Sequence, residues 1–187
     1  MYIYLILLLL GFGSNLASSF TSWYSEKFGR QAGTFITILL RDIFGIPVWA
    51  GGFVVAVNAG GVLMIGRGIP EKIAAWLFLL AGAAVIIIAL LSIRIRAAAP
   101  STGDRLVSNG IYSLVRHPIH CGTFLEFIGI FLFWPSLHVA ISCLAGTLWI
   151  VIQSKFEESD LKRRIPEYED YIKNVPAFFP RIHAKTT

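Results

Sequence analysis

Residues 73–93 read IAAWLFLLAGAAVIIIALLSI, 21 residues without a charge. At 1.5 Å per residue, about 20 apolar residues carry a helix across the hydrocarbon of a bilayer, so this stretch is a complete span. It is not alone. Apolar residues make up 56% of the 187, mean hydropathy is +0.69, and several other runs approach the same length. One soluble core of this size cannot hide them all, because its surface is too large for its volume. The expected fold is all-α: a single polytopic membrane domain over 1–187, with about five transmembrane helices, a C-terminal helical hairpin and a cytoplasmic tail.

Working outward, residues 1–20 form an apolar run with no basic segment ahead of it, which reads as an uncleaved first span rather than a signal peptide. Residues 21–31 (TSWYSEKFGRQ) are polar and aromatic and predict a loop or interfacial segment. Arg41, Asp42 and Pro47 interrupt the next apolar stretch. It reads as an interfacial or re-entrant piece over 33–46 followed by a span over 47–66, with one long kinked helix as the alternative. Beyond 93 comes a polar loop over 94–118, carrying Arg94 and Arg96 as a stop-transfer pair. Two apolar runs, 119–134 and 136–153, follow and are split by Trp134-Pro135-Ser136: a hairpin with a proline turn.

Charge gives this arrangement a direction. With the N-terminus outside and five spans, 14 of the 16 Lys and Arg fall inside, leaving only Arg67 and Lys72 outside. So lopsided a distribution over short loops fixes orientation and puts the C-terminus in the cytoplasm. The same reading explains the net charge of +5 without nucleic acid, since no basic stripe with interleaved aromatics lies outside the spans. Cys121 and Cys143 lie within apolar runs and read as small packing residues.

The hairpin also assembles a site. His117 lies 18 residues before Pro135 and Gln153 lies 18 after it. Equal counts from the turn of an antiparallel hairpin meet at equal depth, about 27 Å from it. His117 and His120 should therefore meet Glu157 and Glu158 at the cytoplasmic interface, where ionisable groups at a bilayer edge are functional candidates. One alternative is an interfacial charge belt, with the two glutamates paired to Lys155 or Arg116. Metal is the other, since imidazole and carboxylate suit zinc or iron. The HPIH spacing is not the HExxH of a zinc helix and a proline lies between the histidines, so no metal is expected.

The ordered set LVSNGIYSLVRHPIHCG (106–122), a hairpin, KFEESDL (155–161) and PEYEDYIKNVPAFFP (166–180) resembles the isoprenylcysteine carboxyl methyltransferase family of membrane enzymes. The likeness covers about residues 104–181. It implies an S-adenosylmethionine-dependent methyltransferase that releases S-adenosylhomocysteine, with cofactor contacts on Asp104, Arg105, Leu106, Val107, Tyr112, His117, Pro118, Ile119, His120, Glu157 and Glu158. A glutamate would pair the cofactor's ammonium, and aromatic or acceptor-rich walls would suit its sulfonium. Tyr168 and Tyr171 would close the tail over it.

The resemblance also implies a lipophilic acceptor entering from the bilayer, a prenylcysteine-type carboxylate first of all, and it points to Arg116, His120 and Gln153 as the residues at the chemistry. Two of these positions depart from the family pattern. His120 replaces its tyrosine and adds a titratable ring. Gln153 replaces an arginine that holds the substrate carboxylate, and a neutral amide cannot make the bidentate pair a guanidinium makes. Arg116 or Lys155 would then take that role. The competing expectations are phospholipid amine N-methylation, with His120 as the base, a reductase-like relative with a nicotinamide cofactor, and a non-catalytic accessory protein of the same architecture.

Overall fold

The computed structural model describes residues 2–93 and 105–181, and all their regular structure is helical. In chain order the helices are α1 (Ile3–Ala17), α2 (Thr21–Phe28), α3 (Arg30–Asn58), α4 (Ile69–Ile93), α5 (Pro118–Phe133), α6 (Leu137–Arg164) and α7 (Tyr168–Asn174). A 3-10 turn at Gly110–Ser113 precedes α5. Three helices, α3, α4 and α6, are long and apolar enough to span a membrane, and the bent pair α1–α2 makes a fourth if it is one span. α5, at 16 residues, is apolar but shorter.

Two expectations change. The segment 21–31 is mostly helix: α2 leaves α1 at a 62° bend, with the Lys27 ammonium 4.9 Å above the Trp23 ring. The division into a re-entrant piece at 33–46 and a span at 47–66 gives way to the alternative, the continuous helix α3. Its interruption is local. Leu39–Gly45 is π-helical, and the Ile46 N–H reaches the Arg41 carbonyl, five residues back. Pro47 has no N–H, and its ring crowds the carbonyl four residues earlier. The helix absorbs this by widening into a π-bulge rather than breaking. α3 stops at Asn58 because Gly60 turns left-handed, φ +71°, a conformation glycine adopts without steric cost.

α4 and α5 pack antiparallel at very short range. A Cβ added to Gly82 would lie 2.6 Å from the Gly122 carbonyl oxygen, and one on Gly122 would lie 2.7 Å from that of Gly82. In lipid, where burial of apolar surface gives no preference, such backbone approach is what holds helices together. The aromatic core lies between α1, α3, α5 and α6: Phe12 stacks on Trp149 at 4.6 Å, and Phe53 on Phe127 at 5.2 Å. The Trp149 indole N–H donates to the Phe12 carbonyl at 3.1 Å.

The predicted hairpin is present, with its turn at 134–136 and Ser136 capping α6 by accepting from the Val139 N–H. At this end the 59–68 loop docks on the turn, the Met64 N–H donating to the Pro135 carbonyl at 2.7 Å. The polar residues of the hairpin gather at the opposite end. α6 runs three turns past the apolar stretch to Arg164 and carries Gln153, Glu157, Asp160 and Arg164 into that region.

Candidate active site

Pro118 opens α5 at a position where a missing N–H costs nothing, which leaves His117 as the residue just before the helix. The C-terminal tail holds this junction. The Arg116 N–H donates to the Pro176 carbonyl at 2.9 Å, and the His117 N–H to that of Ala177 at 3.1 Å. The Arg116 guanidinium donates to the Ile172 and Val175 carbonyls at the end of α7, at 3.0 and 2.6 Å. Its Nε and Nη2 meet Glu158 Oε1 at 3.0 and 2.8 Å. Cations are favoured at a helix C-terminus, where carbonyls lack partners. Arg116 therefore ties α6, α7 and the loop together.

His117 Nε2 lies 2.9 Å from the same Glu158 oxygen. Two guanidinium N–H groups hold Glu158 as a carboxylate, which can only accept, so Nε2 carries the hydrogen. The Nδ1 of a neutral ring is then a bare acceptor. It faces Glu157 Oε2 at 3.7 Å. The rings of His117 and His120 stack at 5.3 Å with an interplanar angle of 18°, and Phe178 covers His117 at 5.7 Å. Gln153 donates from Nε2 to Glu157 Oε1 at 2.8 Å. Gln153 Oε1 and His120 Nδ1 are both buried without a hydrogen-bond partner among the described residues.

His117, His120, Gln153 and Glu157 face a cavity of about 590 Å³. Of the residues expected at the site, Arg105, Leu106, Val107, Tyr112, Arg116, His117, Pro118, Ile119, His120, Gln153 and Glu157 all line it. Glu158 does not; it lies behind His117 and orients it. Asp104 lies outside the described residues, as do Arg94 and Arg96. Tyr168 and Tyr171 also line the cavity, and the Tyr171 hydroxyl donates to the Tyr112 carbonyl. Burial pushes the Tyr171 hydroxyl up to about 12, and raises those of Tyr112 and Tyr168 still further, so all three are proton donors at neutral pH.

The other wall comes from the N-terminal half and was missed in the sequence. Asn15, Ser18, Ser19, Thr21, Thr37, Arg41, Asp42 and Trp49 line it. Arg41 and Asp42 form a bidentate pair at 2.8 and 2.9 Å within the π-helical segment. Their signal was available as two charges inside an apolar run, but sequence reasoning used them only to divide the helix.

Among known proteins, residues 72–165 match the phospholipid methyltransferase family. Over 78 residues the chain is 37% identical to a nickel-cobalt-cadmium resistance protein of Alcaligenes xylosoxydans xylosoxydans, covering 41% of this chain and 37% of that one. Over 80 residues it is 37% identical to a cobalt-zinc-cadmium resistance protein of Cupriavidus metallidurans, covering 42% and 37%. A methanethiol S-methyltransferase of Bradyrhizobium diazoefficiens is 34% identical over 80 residues, covering 40% and 29%. The chain thus spans only about a third of the length of these relatives. No solved structure matches.

Proposed function

The chain belongs to the phospholipid methyltransferase family, and from that premise we propose that it is an integral membrane methyltransferase using S-adenosylmethionine bound in the cavity between α5, α6 and the tail. The observation that carries the reading is a corner of that cavity rich in acceptors and short of donors. His117 Nδ1 faces Glu157 Oε2 at 3.7 Å, and Gln153, which donates through Nε2 to Glu157 Oε1, keeps a buried Oε1 without a partner among the described residues. Acceptors that face one another repel unless a cation or a multiple donor joins them. The ammonium of the cofactor's amino-acid portion is such a group, and Glu157, Gln153 and His117 would hold it. Leu106, Val107 and Ile119 offer apolar wall for the adenine.

When bound, this cofactor supplies a methyl group activated by its sulfonium. The chain's contribution is to position the acceptor and exclude water. The two residues offered for a prenylcysteine carboxylate have other partners: Arg116 holds Glu158 and the end of α7, and the Gln153 amide nitrogen holds Glu157. Lys155 is exposed and off the cavity. His120 Nδ1, by contrast, is a ring nitrogen without a partner among the described residues, on a cavity-lining residue, and in the tautomer that leaves it unprotonated it would take the proton from an amine or thiol as it is methylated. That favours a proton-bearing lipophilic nucleophile, a phospholipid amine or a thiol, over a carboxylate.

Calorimetry with S-adenosylhomocysteine tests the cofactor. Micromolar binding is expected, falling at least about tenfold in Glu157→Gln, since a charge-assisted hydrogen bond contributes about 1.5–3 kcal/mol. Absence of binding by the folded protein sinks the reading. Membranes incubated with methyl-labelled cofactor test the acceptor. Label in headgroup amines or thioethers is expected, and label in base-labile esters would restore the carboxylate.

A further inference from the structure

We propose that His117, His120 and Glu157 also form a site for one transition-metal dication of the cobalt, nickel or zinc type. One ligand atom from each residue lies within 4.8 Å of the other two. Metal–nitrogen and metal–oxygen distances near 2.1 Å place tetrahedral ligands about 3.4 Å apart, so side-chain rotations of about 1 Å close the set. Imidazole and carboxylate donors suit these ions.

The surroundings support the site in a way a chance cluster does not. A metal-bound histidine characteristically gives its other N–H to a carboxylate, which sets the tautomer and the ring direction. His117 does so through Nε2 to Glu158, and Arg116 clamps Glu158 in turn. Nδ1 is left bare towards Glu157 Oε2, 3.7 Å away. Gln153 holds the other Glu157 oxygen and leaves Oε2 for the ion. Two of the three ligands are thus oriented before any ion arrives. Gln153 is only 4% exposed, yet among the described residues its Oε1 has no partner, and His120 Nδ1 has none either. Both belong to residues that line the cavity. The HPIH spacing alone argued against a metal, and the third ligand that changes the argument comes from the other arm of the hairpin.

Metal binding rests on this ligand geometry alone. Because the same acceptors would hold the cofactor ammonium, its consequence under the proposed function is that ion and cofactor exclude one another. Purified protein freed of metal in detergent is titrated with cobalt(II) chloride. Visible d–d bands of a low-coordinate site, saturating at one equivalent and abolished by zinc, are expected. His120→Ala and the isosteric Glu157→Gln should each weaken cobalt binding at least tenfold, and Glu158→Gln about tenfold through its effect on His117. A circular dichroism spectrum matching the parent protein certifies that each variant is folded. Absence of the bands, or bands of undiminished affinity in folded His120→Ala and Glu157→Gln, overturns the site. Calorimetry of the metal-free protein with S-adenosylhomocysteine reads the cofactor proposal separately, so failure of one leaves the other standing. Cobalt bands unaffected by saturating S-adenosylhomocysteine would overturn the exclusion.

Discussion

Glu158 decides more of the site than its place off the cavity wall suggests. One of its oxygens receives Arg116 and His117 together, with side-chain exposures of 10%, 6% and 12% for Arg116, His117 and Glu158. Removing one partner of a buried pair leaves the other charge without compensation. Glu158→Ala should lower stability by about 3 kcal/mol, measured by unfolding in detergent. It should also loosen the tail, seen as faster protease cleavage after Lys173 or Arg181, because Arg116 then holds the end of α7 less firmly. The tyrosines give a pH signature. Tyr171 ionises near 12 in the fold against about 10 in the unfolded chain. A raised folded value means that the stability it contributes is complete below pH 10 and is lost as pH rises through about 12. Absorbance at 295 nm should show these buried tyrosines ionising only in that upper range, and a full tyrosinate signal from the folded protein by pH 10.5 would contradict the burial.

At the scale of elements, the glycines divide by what faces them. Gly82 and Gly122 meet backbone to backbone, so Gly82→Ala should destabilise by at least about 2 kcal/mol through overpacking of α4 on α5. Gly51 on α3 has open space where a Cβ would go, so Gly51→Ala should be neutral or stabilising by up to about 1 kcal/mol. Thermal unfolding of the two variants in one detergent compares them directly, and equal melting temperatures would refute the close α4–α5 approach. The elements also differ in length. At 1.5 Å per residue α5 is about 24 Å long, short of a hydrocarbon layer of about 30 Å, whereas α6 is about 42 Å long. The excess on α6 is its charged last three turns, which bring Glu157 and Glu158 beneath the start of α5.

For the whole molecule, the two ends have different chemistry. The 59–68 loop, which carries Arg67, docks on the hairpin turn, while the cavity, α7 and the basic end of α6 lie at the other end. The charge bias predicts that the cavity end faces the cytoplasm and that the N-terminus lies outside. In a background with Cys121→Ser and Cys143→Ser, Lys72→Cys should react with an impermeant maleimide in intact cells, and Lys173→Cys only after lysis. The reverse pattern would invert the topology.

Much of this was legible in the sequence because helices are rulers: rise per residue sets depth, so counting from Pro135 brought His117 level with Glu157 and Glu158 before any fold was known. Apolar run length gave the spans of α4 and α6 for the same reason. What rise cannot give is rotation about the helix axis and the choice among neighbours, which depend on packing between distant segments. Only the tertiary structure could assign Glu158 to Arg116 and His117 and leave Glu157 facing the cavity. Only it could bring Asn15, Arg41 and Asp42 to the opposite wall. The sequence by itself determined how far from the hairpin turn the histidines and glutamates lie; the tertiary structure decided which of these groups face each other there, because side-chain direction is fixed by non-local contacts.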